Sequence, residues 1–188
     1  MASIKKLAAS FLAAALLALG AVALVGCGPN DEEVIREGVS AELDKLKNLD
    51  DETLDLLASE AGADDLATYG IDAKAFVSSY LAGFDYRIEN VSVDGENATA
   101  TVVLTCKSFS QYTDSLQEAV TTLAADESIR SMSEDEQNAK FGETIMSSLN
   151  GLSAVETGPI DLAFAREGNT WNATQEAEQA ITSALFNN

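Results

Sequence analysis

The side chains able to do chemistry in this chain are few and of narrow type. Its 188 residues include 31 aspartates and glutamates, 11 lysines and arginines, two cysteines, one tryptophan and no histidine. Without imidazole there is no His-ligated metal, no histidine general base and no proton switch near neutral pH. The acids gather as Asp31-Glu32-Glu33, Asp50-Asp51-Glu52, Asp64-Asp65 and Glu134-Asp135-Glu136. None has the alternating oxygen ligands and central glycine of a calcium loop. They read as solvated helix starts, where the dipole favours negative charge, and predict no metal site. The formal net charge of −20 argues against a nucleic-acid partner, because phosphate binding needs clustered Lys and Arg. No phosphate loop, nucleophile elbow or metal-spaced cysteine pair occurs, and no cofactor is expected.

The chemistry that the sequence does specify lies at Cys27. Lys5 and Lys6 form a positive start, and Leu7 to Leu24 is an uncharged stretch rich in Ala and Leu. Small residues follow, as in a secretory signal peptide. On length alone the stretch also reaches the span of a bilayer. Leu24-Val25-Gly26-Cys27 resembles the lipobox of bacterial lipoproteins, in which a branched apolar residue, a small or branched residue and Gly or Ala precede an obligatory Cys. That resemblance implies a diacylglyceryl group, with palmitate-class chains, on the Cys27 sulfur and a cut between Gly26 and Cys27. It places the protein at the extracytoplasmic face of the cell membrane. An uncleaved anchor and a plain secreted protein are the alternatives. Two acyl chains suffice for stable anchoring.

Removing residues 1–26 takes away two lysines and no acid, leaving 162 residues with 9 basic and 31 acidic side chains. Such a body is soluble and is not drawn to anionic headgroups, so the lipid has to hold it at the membrane. Residues 27–30 are the lipidated Cys and a short tether, Gly28-Pro29-Asn30, about 10 Å at full extension. The residue after Cys27 is Gly and not Asp, so by family analogy a Gram-negative host would find no inner-membrane retention signal. With Cys27 lipidated, Cys106 is a lone thiol. It is expected to be buried and inert, the alternative being a reactive role. Sequons at Asn90, Asn97 and Asn172 have no use in a bacterial export route.

Residues 31–188 read as a single domain. Asn30 is placed to cap a helix with Val34, Ile35, Val39, Leu43 and Leu46 on one face. A short helix around Leu54, Leu56 and Leu57 and an irregular stretch from Gly62 to Gly70 follow. Asp72 then caps a helix with Ala73, Phe76, Val77, Tyr80 and Leu81. Near residue 84 the period changes to two, with a slip at Asn90 of the kind a bulge produces. Asp94-Gly95 turns the chain into a strand with Ala100, Val102, Leu104 and Cys106 on one face and Thr99, Thr101, Val103, Thr105 and Lys107 on the other. Two helices with Ser108/Gln111 and Ser133/Glu136 caps come next, then a second hairpin over 160–174 and a final helix. The order predicts an α+β domain with a short antiparallel sheet of about four strands in two hairpins, packed against several helices.

Two segments, Arg166-Glu167-Gly168-Asn169-Thr170-Trp171-Asn172 and Val91 to Ala100, resemble the closing and opening hairpins of small exported lipoproteins with cystatin-like or nuclear-transport-factor-like cone folds. That resemblance implies a cone fold and assigns no activity. Catalysis in such a cone needs a carboxylate or tyrosine turned into an apolar pocket. Asp85, Glu89 and Asp161 fall opposite the apolar side of their strands, which offers only Tyr86, Trp171 and Cys106. No catalytic residue is therefore assigned, although a helix-borne acid is left open. Tyr80, Tyr86 and Trp171 are core, or else the stacking wall of a ligand pocket. The expected protein is a non-enzymatic, lipid-anchored envelope component that binds a small ligand or an envelope partner. The alternatives are a cone-fold enzyme acting on an apolar small molecule and a structural assembly factor. The oligomeric state is left open.

Overall fold

The computed structural model describes residues 30–186 and the backbone of Leu24 and Val25. Cys27, the other residues of the 1–29 segment, and Asn187 and Asn188 lie outside the described residues. In chain order the elements are β1 (Leu24–Val25), α1 (Asp31–Asn48), α2 (Asp51–Glu60), α3 (Ala63–Thr68), α4 (Ala73–Tyr80), β2 (Asp85–Asp94) and β3 (Asn97–Lys107). Then follow α5 (Phe109–Ala125), a 3-10 turn (Ile129–Ser131), α6 (Glu134–Asn150), β4 (Ala154–Glu156), β5 (Ile160–Glu167), β6 (Thr170–Ala173) and α7 (Gln175–Phe186). This is an α+β fold with an antiparallel sheet in the order β1-β6-β5-β3-β2, and β4 pairs with the end of β3.

The local signals act as their chemistry dictates. Asp50, Asp72 and Ser108 each accept a hydrogen bond from a backbone N–H of the first turn of the helix they precede. Ser133 and Glu136 form a complete capping box. Gly95 and Gly168 take positive φ at the two hairpin turns, which an L side chain would resist. The slip in β2 falls between Ile88 and Asn90, where Arg36 of α1 donates to the Ile88 carbonyl at 3.2 Å.

Two expectations need correction. Asn30 does not cap α1 through its side chain; its amide donates instead to Glu33 Oε2. The Gly62–Gly70 stretch is not irregular, since Ala63–Thr68 closes a helical turn around buried Leu66. The two expected hairpins, β2–β3 and β5–β6, are present, and β4 adds a short strand beside β3. Lys107 shares its strand face with Thr99 and Thr101 as the alternation predicts, yet it is only 4% exposed.

The inner face of the sheet carries the core. Ala100, Val102 and Leu104 of β3 are completely buried, with Leu162 and Phe164 of β5 beside them. Against them lie Ile35, Val39 and Leu43 of α1 and Ala177, Ile181 and Leu185 of α7. Each fully buried large aliphatic contributes about 1.5–3 kcal/mol of transfer free energy. The outer face is polar: Thr101 donates to Asp161, and Arg87 pairs with Glu156 across β3.

Candidate functional site

Where α1, β6 and α7 meet, the facing residues are small. Gly38, Ala173 and Ala177 cannot fill the space that Val39, Leu43, Phe164 and Ile181 bound, and a crevice remains. Its cavity volume is about 20 Å³, room for one water-sized group. Leu162 and Phe164 form its floor, and Glu42 and Glu178 stand at its rim. Glu42 is held by Lys45 through both carboxylate oxygens, at 2.7 and 2.8 Å. The lining is otherwise apolar, so the crevice can seat a methyl or short alkyl end beside two acids. Nothing in it is arranged as a nucleophile with a base.

The aromatic residues weighed as a stacking wall are not brought together. Tyr80 donates to the Leu185 carbonyl at 2.7 Å and stacks on Phe186. Tyr86 donates to the Ser40 carbonyl and to Asp44. Trp171 lies under Arg166, whose guanidinium is 5.6 Å from the ring centre. They sit on different strands and helices and serve the core. Burial pushes the Tyr80 phenol well above its ordinary range and that of Tyr112 up to about 12. Cys106 is buried, as its place in the alternation predicts, with Sγ 4.0 Å from the Ala184 carbonyl. Among the described residues no group of three or more acids or cysteines stands together to hold a metal ion. Cys27, the one assigned site residue, lies outside the described residues.

Two cations that sequence reasoning gave no role organise the ends of the sheet. Lys107 closes β3, and its ammonium donates to the Ser79 carbonyl at 2.7 Å and the Leu149 carbonyl at 2.9 Å. Those carbonyls belong to the last turns of α4 and α6, which carry partial negative charge and want donors. Burial holds the Lys107 ammonium below its ordinary pKa. Arg166 closes β5 at the opposite end. Its side chain pairs with Asp31, the first residue of α1, at 3.0 Å and donates to the Gly168 carbonyl at 3.1 Å. Its backbone N–H donates to Glu96 in the β2–β3 turn at 2.8 Å. Arg166 was visible in the sequence as a charged residue before a glycine turn, placed across from Trp171 in a hairpin; its partner Asp31, far back along the chain, was not. The indole Nε1 of Trp171 is buried and finds no hydrogen-bond partner among the described residues.

No family model and no curated protein matches the chain. Among solved structures it is similar to a Bacillus subtilis protein described as a "putative lipoprotein (ycdA)", with 13% identity and a TM-score of 0.45. The match covers 97% of this chain and 57% of that one. Among the described residues no helix is long and apolar enough to cross a membrane.

Proposed function

We propose that this is a bacterial lipoprotein of the cell envelope, held at the extracytoplasmic face of the membrane by a diacylglyceryl group on Cys27, and that its α+β domain binds rather than catalyses. The observation that carries the reading is Leu24-Val25-Gly26-Cys27 directly behind a charged start and a long apolar stretch. The acidic domain supplies no membrane affinity of its own, which makes the lipid necessary. Binding is favoured over catalysis because the donors of Tyr80 and Lys107 are spent on backbone carbonyls. The α1–α7 crevice takes only a small apolar group, so the ligand presents an alkyl end there, or an envelope partner presents an apolar side chain.

The experiment is mass spectrometry of the N-terminal peptide from membranes of the producing cell. A peptide beginning at Cys27 and carrying the mass of a diacylglyceryl group is expected. The Cys27→Ala chain should keep its first 26 residues and lack the lipid. An identical N-terminal processing pattern in the two chains would sink the reading.

A further inference from the structure

A lipid on Cys27 does not by itself say which end of the domain meets the bilayer. The described residues that follow Cys27 do. Asn30 follows it by three residues, a reach of about 10 Å, and α1 begins at Asp31. Arg166 then ties this corner together. It binds Asp31 at the start of α1, Gly168 in the β5–β6 turn and, through its backbone, Glu96 in the β2–β3 turn. The start of α1 and both hairpin turns therefore form one end of the molecule, and the tether leaves from it.

We propose that this turn end faces the phospholipid headgroup layer, with α1 leading away from the bilayer and the Lys107 end turned to the aqueous side. The inference rests on the lipid-anchor reading. The tether is too short to let the domain invert: α1 has 18 residues and is about 27 Å long, nearly three times the reach of the link. The surface chemistry sets the terms of contact. Asp94, Glu96 and Glu167 are exposed at the turns and Glu32 and Glu33 at the start of α1, while Arg166 is engaged inward. Such a face is repelled by anionic headgroups, so the lipid and the short tether hold it there, and zwitterionic vesicles test the orientation without that repulsion. The α1–α7 crevice, starting at Gly38, then opens on the flank about 10 Å along α1 from its first residue, clear of the headgroups.

The test uses the full chain, lipidated in the cell, purified from membranes and placed in phosphatidylcholine vesicles containing a lipid with a spin-labelled headgroup. One fluorophore is attached at Glu167→Cys, or at Asp94→Cys on the other hairpin turn, and in a separate protein at Asn48→Cys, the end of α1. Cys106 is buried and Cys27 is blocked by lipid, so the new thiol takes the dye. Loss of emission at both turn positions with emission kept at Asn48 is expected. Equal loss at both ends, or loss greater at Asn48, overturns the proposed orientation. The N-terminal mass of the same preparations separates the two failures. With lipid present and equal quenching, only the orientation falls; with no lipid on Cys27, the anchor reading falls and the orientation with it.

Discussion

Each end of the sheet is closed by a cation, and the two are satisfied by opposite means. Arg166 is partly exposed and finds a carboxylate, Asp31, together with one turn carbonyl and the face of Trp171. Lys107 is buried and finds backbone carbonyls at the ends of two helices. The difference teaches what a charge can hold together. A surface ion pair gains little, because water and salt screen it, so Arg166 serves as a tie between segments already placed by the core. A buried ammonium is costly to desolvate, and it persists because the ends of two helices present carbonyl oxygens to it, at the negative ends of their dipoles. The Lys107 end should therefore govern stability, and the Arg166 end should govern how the domain hangs from its tether.

The strongest way to break the Lys107 end lies in α6. A Cβ added at Gly142 would stand 2.0 Å from the backbone oxygen of Tyr69, which cannot move without unseating the α3–α4 connection. Gly142→Ala should destabilise by about 3 kcal/mol through this overpacking, read as a lowered denaturant midpoint. An unchanged midpoint would mean that α6 does not pack on that connection.

Lys107→Met comes next. It keeps the length of the side chain and removes both of its hydrogen bonds, leaving the Ser79 carbonyl without the ammonium and the Leu149 carbonyl with only its backbone donors, at a cost of about 2 kcal/mol. A stabilised variant would mean that the buried charge costs more than its two hydrogen bonds return.

The alkaline limb of the stability curve sharpens the contrast. The folded Tyr80 and Tyr112 phenols titrate above their ordinary 10.0, so their contribution is intact below that pH and is lost as pH rises past it. Lys107 has the opposite sign. Its folded pKa lies below 10.5, so the unfolded chain holds the extra proton, and stability from this group grows as pH climbs toward 10.5. Melting temperatures across the alkaline range should fall steeply above about pH 10, and Lys107→Met should remove only the gain beneath it. A Met variant with the same profile as the parent would show that Lys107 titrates normally.

Arg166→Gln should have the smallest effect on stability, about 1 kcal/mol or less, and that effect should shrink in high salt. Its consequence belongs to the other end. The difference in quenching between the turn positions and Asn48 should narrow once Asp31 is no longer tied to the hairpin turns. A loss as large as that of Lys107→Met would erase the distinction between the ends.

Much of this was legible in the chain itself. Alternation over Ala100, Val102, Leu104 and Cys106 named the inner face of β3, and the Ser133/Glu136 pair named a helix start to the residue. The slip at Asn90 appeared because side chains alternate with period two, and one extra residue shifts every later side chain to the other face. These are properties of neighbours, fixed by backbone geometry within a few residues. The lipobox resemblance is likewise a contiguous string beside an apolar segment, and the proposed anchor rests on it alone.

What tertiary structure decided involves residues far apart in the chain. Alternation puts Lys107 on the face of Thr99, Thr101, Val103 and Thr105 and says nothing of its burial, which the docking of α4 and α6 over the end of β3 decides. The crevice exists because Gly38, Ala173 and Ala177, innocuous in three separate segments, face one another. Arg166 reads as a turn residue until α1 brings Asp31 across to it. Local sequence dictates periodicity and caps, because those depend on bonds to adjacent residues. The sharing of a buried charge or a gap among distant segments depends on how helices settle on the sheet, and that is decided by the summed packing of the core.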